Sequence, residues 1–165
     1  MAVNAPPAPT ETKPAPVYDP NSIAEQIKTQ YADAVESTSA QGLVIKNERL
    51  LDVARYLHDE LHFDYLHNVT SVDWPDRFEV VYHVSSIDRG GAPLTLKANA
   101  KREDPTVPSL VPVYRGADFQ EREVYDMMGI RFLGHPNLRR ILMWDGFEGY
   151  PLRKDYHEAY YEEDH

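Results

Sequence analysis

The sequence predicts an α+β fold: N-terminal helices, a small mainly antiparallel or mixed sheet, one later helix, and an extended irregular C-terminal arm. Three observations lead there. Up to Leu61, apolar residues recur at three- and four-residue spacings, the period of one helix face. From Phe63 to Ala100 the period drops to two, as in strands with one buried face. After Gly129, the residues Gly134, Pro136, Gly146, Gly149 and Pro151 interrupt every regular pattern. Helices ahead of a run of strands point to the α+β class.

Residues 1–20 hold six of the 13 prolines and few large apolar side chains. Such a composition does not offset the entropy of ordering, so a Pro-rich tail is expected, disordered or ordered on a partner. A domain spanning 21–128 begins where Asn21 or Ser22 can cap a helix. Ile23, Ile27, Tyr31, Ala34 and Val35 give that helix a face about 15 residues long. Gly42 punctuates, and Leu43-Val44-Ile45 reads as a short strand. Asn47 stands where it can cap a second helix, with Leu50, Ala54, Leu57 and Leu61 as the core stripe.

Three strands follow. Phe63, Tyr65, His67 and Val69 share one face of the first. Phe78, Val80, Tyr82 and Val84 share a face of the second, and Leu94, Leu96, Ala98 and Ala100 of the third. The turns Trp74-Pro75-Asp76-Arg77 and Asp88-Arg89-Gly90-Gly91 are too short for parallel crossovers, so the strands form an antiparallel meander. Pro105, Pro108 and Pro112 keep the next stretch irregular. Asp118 opens a third helix as a capping box with Glu121, and Gly129 closes it with a left-handed turn. Residues 129–165 remain as an extended, partner-wrapping C-terminal arm.

Composition removes several function classes. A chain of 165 residues fits one domain of roughly 100–200 residues. No apolar run reaches the ~18 residues of a membrane span, and the opening residues carry no basic-then-apolar leader, so no secretory route is expected. With no cysteine there is no disulfide framework, no thiol nucleophile and no iron–sulfur cluster held by this chain's thiolates. Seventeen basic against 27 acidic side chains, a net charge of -10, argue against nucleic acid.

Three clusters are candidates for chemistry. His58-Asp59-Glu60-Leu61-His62 places two histidines at i and i+4, a spacing that can ligate zinc in a stand-alone metal-dependent enzyme. Asp59 stands where a zinc protease carries Glu, and no third ligand is evident; half-buried histidines beside a core stripe are the ordinary alternative. Glu121, Glu123 and Asp126 could form a general acid/base set. Glu121 and Glu123, two apart, project to different sides of a helix, and a structural or interface use is favoured. Arg131, Arg139, Arg140, Arg153 and Lys154 alternate with Phe132, Leu138, Met143, Trp144, Phe147 and Tyr150, a composition suited to a protein interface.

Part of this region also resembles a known family. Glu121-Arg122-Glu123, Asp126-Met127-Met128, His135, Arg139 and Ile141-Leu142 follow in the order and spacing of the signature of the C subunit of NADH:quinone oxidoreductase. That family belongs to respiratory complex I (NDH-1); its mitochondrial member is the thirty-kilodalton subunit. Gly134-His135-Pro136-Asn137-Leu138-Arg139-Arg140-Ile141-Leu142 is similar to its central stretch. Gly149-Tyr150-Pro151-Leu152-Arg153-Lys154-Asp155-Tyr156 is similar to its C-terminal block. The likeness is dense over residues 118–156 and rests on element order before them.

The resemblance implies a non-catalytic structural subunit of the peripheral arm of a proton-pumping complex, on the cytoplasmic face of the bacterial cell membrane. It implies a hetero-oligomer with no cofactor on this chain, FMN and Fe-S clusters lying in partner subunits. It implies docking onto the quinone-site subunit. The residues it carries over are partner contacts, not catalysts: Glu121, Arg122, Glu123, Asp126, His135, Arg139, Arg153, Lys154 and Asp155. Arg140, Trp144 and Tyr150 join them from the interface-like composition. Equivalent subunits of photosynthetic ferredoxin:plastoquinone complexes and of membrane-bound hydrogenases are similar as well, which leaves the electron donor open. Arg139→Ala and Arg153→Ala are each expected to weaken assembly by ~2–5 kcal/mol with the isolated domain still folded. Normal complex yield from both variants would contradict this.

Overall fold

A computed structural model describes residues 19–88 and 93–157. Most of the expected Pro-rich tail, the second strand turn beyond Asp88 and the acidic C-terminal end lie outside the described residues.

Helix α1 spans Pro20–Gln30 and is capped by Asp19 rather than by Asn21 or Ser22. The Asp19 carboxylate accepts from Asn21 N at 3.1 Å and Ser22 N at 3.3 Å, and Pro20 supplies a preset φ at the first helical position. The helix is shorter than its apolar spacing suggests. Ala34 lies beyond it, and Val35 opens strand β1 (Val35–Ser39), which pairs antiparallel with β2 (Gly42–Ile45). Both residues face the core from extended chain, so their three- and four-residue spacing mimicked a helical turn.

Helix α2 (Asn47–Asp59) buries Leu50, Val53, Ala54 and Leu57. Its N-cap is Lys46, which makes no side-chain cap. Asn47 instead donates from Nδ2 to Asn99 O at 2.8 Å and Thr106 O at 3.3 Å, tying the helix start to two later segments.

Strands β3 (Tyr65–Asp73), β4 (Arg77–Ser85) and β5 (Leu94–Lys101) form the expected antiparallel meander. The sheet order is β1-β2-β5-β4-β3, and β2 pairs parallel to β5, so the sheet is mixed. In β3 the expected face is broken by a register shift between Leu66 and Asn68. A bulge adds one residue and reverses the alternation, which brings Leu66 and Val69 into the core and leaves Tyr65 and His67 exposed.

The proline-rich stretch is not wholly irregular. Strand β6 (Thr106–Pro108) pairs parallel with β7 (Arg131–Leu133), with Val107 opposite Phe132. Three-residue strands offer too few positions for a period to be read. Between them, α3 (Ala117–Met128) packs beside β3 and ends at Gly129, whose φ of 71° is the left-handed stop expected there. Its N-cap is Gly116, without side-chain capping; the Asp118–Glu121 capping box does not form. Ile130 and Phe132 are buried in the same core as Ile27, Leu57, Phe63, Phe78 and Leu96. The segment after Gly129 therefore begins as part of the domain core, where each large apolar side chain contributes about 1.5–3 kcal/mol.

Candidate partner-docking site

Helix α3 turns two of its acids inward. Glu121 is fully enclosed; its carboxylate accepts from Ser109 Oγ at 2.6 Å and from Leu110 N at 2.7 Å. Burial pushes its carboxyl up to about 7, against the opposing pull of those two bonds, and Asp118 adds to the rise. The nearby Tyr82 hydroxyl has no hydrogen-bond partner among the described residues, and burial followed by the Glu121 charge raises it well above the usual phenol range.

Asp126, one turn further on and also fully enclosed, organises the chain that follows the helix. Its Oδ2 accepts from three successive amides, Ile141 N at 2.9 Å, Leu142 N at 2.7 Å and Met143 N at 3.0 Å. Its Oδ1 accepts from Arg140 Nη1 at 2.7 Å, and the same guanidinium reaches Asp126 O and Gly149 O. Burial raises the Asp126 carboxyl, but the amides of Met143 and Leu142, the Arg140 guanidinium and the amide of Ile141 outweigh it and hold the group below its ordinary value.

A second clasp closes residues 152–155 against the sheet edge. Leu152 N donates to Met127 O at 3.1 Å and Arg153 Nε to Met128 O at 2.6 Å. Lys154 N donates to Asp73 Oδ2 at 2.9 Å. Arg102 bridges the Asp73 carboxylate to Asp155. Phe78 meets two guanidinium groups, Arg102 at 4.7 Å and Arg153 at 4.8 Å, and Arg153 also lies 4.5 Å from Tyr150. Gly129 sits beneath this contact: a Cβ there would come within 2.5 Å of Tyr150 and 2.6 Å of Arg153.

The expected site residues thus separate into two groups. Glu121, Arg122, Asp126, His135, Arg140 and Arg153 are engaged inside the chain. Arg122 donates to Arg139 O at 3.2 Å and lies 5.5 Å over Phe119. His135 accepts from Asn137 N through Nδ1 and contacts Asp118 O through Nε2 at 3.1 Å, which selects the Nε2–H tautomer. Glu123, Arg139, Trp144, Lys154 and Asp155 are exposed, and Tyr150 is half-buried. Sequence reasoning missed Asp73, Phe78 and Arg102, which carry the second clasp. Arg102 stands 53 residues from Asp155 and Asp73 stands 81 from Lys154, beyond the reach of any local pattern.

The histidine pair does not form a helix face. Helix α2 stops at Asp59, and His62 lies beyond it at φ 55°. His58 instead contacts Asp59 at 2.7 Å and packs edge-on against Tyr114. Among the described residues, no three acidic or histidine side chains gather as a metal-holding group.

A mixed sheet with helices, followed by a clasped loop region that leaves Trp144 exposed, defines an α+β protein whose C-terminal segment is tied to its own domain. Comparison with known proteins gives the family. The model described as "Respiratory-chain NADH dehydrogenase, 30 Kd subunit" matches residues 43–162, and the chain belongs to that family. The C subunit of NADH-quinone oxidoreductase from Roseiflexus sp. (strain RS-1) is 41% identical over 146 residues, covering 83% of each chain. The C/D subunit of NADH-quinone oxidoreductase from Phocaeicola vulgatus is 40% identical over 121 residues, 68% of this chain and 23% of that one. Among solved structures, a chain of the membrane-bound sulfane sulfur reductase (MBS), an archaeal respiratory membrane complex, superposes with a TM-score of 0.69 at 25% identity. That match covers 86% of this chain and 87% of the other.

Two outcomes are expected. Asp126→Asn is expected to cost about 3 kcal/mol, because it leaves Arg140 without its charge partner. Hydrogen exchange at the amides of Ile141, Leu142 and Met143 checks it: they should exchange faster while the amides of β4 stay protected. Glu121 behaves in the opposite sense to an ordinary ion-paired acid. Its folded value lies above its unfolded one, so its contribution is full below about pH 4.5 and is lost as pH rises toward about 7. Glu121→Gln is expected to abolish that loss and to exceed the wild type by roughly 2–3 kcal/mol at pH 8. Urea unfolding at a series of pH values measures both slopes.

Proposed function

We propose that this chain is a non-catalytic structural subunit of the peripheral arm of a proton-pumping NADH:quinone oxidoreductase. In this reading it docks onto the quinone-site subunit and supports electron transfer from NADH, through FMN and Fe-S clusters held by other subunits, to quinone. One observation carries it. Two of the three acids of the α3 set, Glu121 and Asp126, are committed, with Asp73, to amides, a hydroxyl and arginines of this same chain, and the third, Glu123, stands exposed on the surface. Facing outward from residues 119–155 are large apolar and aromatic side chains, Phe119, Leu133, Leu142, Trp144 and Leu152 among them, set between charged ones such as Glu123, Arg139 and Lys154. Such a surface fits a partner rather than a substrate.

The exposed residues Glu123, Arg139, Trp144, Lys154 and Asp155, with Tyr150, are the proposed contacts. The enclosed ones, Glu121, Arg122, Asp126, His135, Arg140 and Arg153, act from beneath by fixing the shape of that surface. Membership of the family supports the assembly role. The Phocaeicola vulgatus relative, a single chain whose name joins C and D, supports a close partnership between those two subunits. Peripheral attachment on the cytoplasmic face belongs to the same reading; no helix among the described residues is long and apolar enough to cross a membrane. The likeness to a sulfane sulfur reductase chain favours one second reading, the same assembly role in a respiratory membrane complex other than an NADH:quinone oxidoreductase.

Tagging the chain in its native host and solubilising the membranes gently tests both. Co-purification of flavin and iron–sulfur subunits with NADH:quinone activity is the expected result. Recovery of a core without an NADH-oxidising module would favour the second reading. Recovery of this chain alone, under conditions that keep such complexes intact, would overturn the assembly role.

A further inference from the structure

The chain from Met143 to Leu152 leaves α3 and returns to it at the adjacent residue. Met143 N is held by Asp126 Oδ2 at 3.0 Å and Leu152 N by Met127 O at 3.1 Å. Between those anchors the chain closes on itself. Trp144 to Phe147 forms a four-residue turn, with Phe147 N donating to Trp144 O at 3.1 Å. Gly146 stands third in that turn at φ 89°, a conformation that favours glycine. Phe147 meets Trp144 edge-on at 4.8 Å and packs 6.1 Å from Tyr156. Arg140 lies over Phe147 at 5.5 Å and over Tyr150 at 5.2 Å while its other nitrogen holds Gly149 O. A surface loop with adjoining ends, packed by its own side chains, is ordered before anything binds it.

The stem of the loop is covered and its tip is not. Trp144 is 67% exposed. Asp145 and Glu148, on either side of Gly146 and Phe147, are exposed too, and neither has an ion pair among the described residues. Beneath them the charges of Asp126, Arg140 and Arg153 are spent within the chain. The tip presents a large aromatic ring beside two carboxylates that lack such partners.

We infer that this loop is a preformed plug. Trp144 enters an apolar slot on another subunit of the same complex, and lysine or arginine side chains at the rim of that slot meet Asp145 and Glu148. The inference rests on the assembly reading above and adds the contact point and the chemistry of the surface that receives it. An exposed tryptophan on an already closed backbone loses little further entropy on binding, and tryptophan is enriched among the few residues that dominate an interface. Two neighbouring carboxylates select a basic rim through complementary charge. The same carboxylates disfavour insertion into an anionic lipid leaflet, the other common destination of an exposed tryptophan.

The test uses the full-length chain, with complex purified from host cells that lack it. The wild type, Trp144→Ala, the double variant Asp145→Lys/Glu148→Lys, and Ile87→Ala are titrated onto that complex. Ile87 is 66% exposed and follows β4, away from the loop. Trp144→Ala is expected to bind about thirtyfold more weakly or worse. The double variant is expected to associate more slowly, with a rate that rises rather than falls as salt is added, and Ile87→Ala to match the wild type. The free Trp144→Ala chain is expected to melt at the wild-type temperature, which separates lost contact from lost folding. A photoreactive phenylalanine analogue at position 144, in cells, is expected to cross-link to a partner peptide containing lysine or arginine. Binding of Trp144→Ala within twofold of the wild type, or cross-linking to lipid, would overturn the plug while leaving the assembly role intact. Failure of the wild type itself to bind would overturn both.

Discussion

The carboxylate of Asp126 carries an unusual share of this structure. It sits at the end of α3 with no access to solvent and holds an arginine and three consecutive amides of a segment that has no helix or strand of its own. An irregular chain packed on a domain must satisfy its amides somewhere. Here one side chain takes three of them, and the adjacent Arg140 offsets the cost of enclosing the charge. Everything from Arg140 to Leu152 can then follow a path that backbone pairing alone would not support.

The second clasp obeys the same logic at longer range. Asp73, at the end of β3, takes Lys154 N and the Arg102 guanidinium. Arg140, Arg153 and Arg102 alternate with Phe147, Tyr150 and Phe78, so that each of the three guanidinium groups covers at least one aromatic ring. Planar guanidinium suits both tasks, stacking on a ring face while it donates in its own plane. Spent in this way, these arginines support the surface from behind, and the residues left in front mix apolar side chains such as Trp144 and Leu152 with the charges of Arg139, Asp145, Glu148 and Lys154.

This inward use of charge alters the meaning of Arg139 and Arg153, which look equivalent in sequence. Arg139 is exposed, and among the described residues it is its carbonyl, not its guanidinium, that is bonded. Arg153 bonds Met128 O and rests on two rings of the domain. An alanine at Arg153 therefore disturbs the chain itself as well as any partner, whereas an alanine at Arg139 touches the surface alone. The two effects differ because a side chain's direction at an irregular position follows from packing, not from spacing.

Local periodicity was enough to determine the α+β class, the meander of β3, β4 and β5, the core of α2 and the left-handed stop at Gly129. Those features depend on neighbours a few residues apart, and the signature across residues 121–142 determined the family from ordered spacing. Tertiary structure decided the rest. It made Val35 a strand residue, reversed the alternation of β3 at a bulge, paired β6 with β7, and turned Glu121 from a helix cap into a buried acid. It also drew the segment after Gly129 back onto the domain through Asp126, Asp73 and Arg102. Each of these outcomes depends on groups that meet only after the chain has closed across long separations, and no local pattern encodes such a meeting.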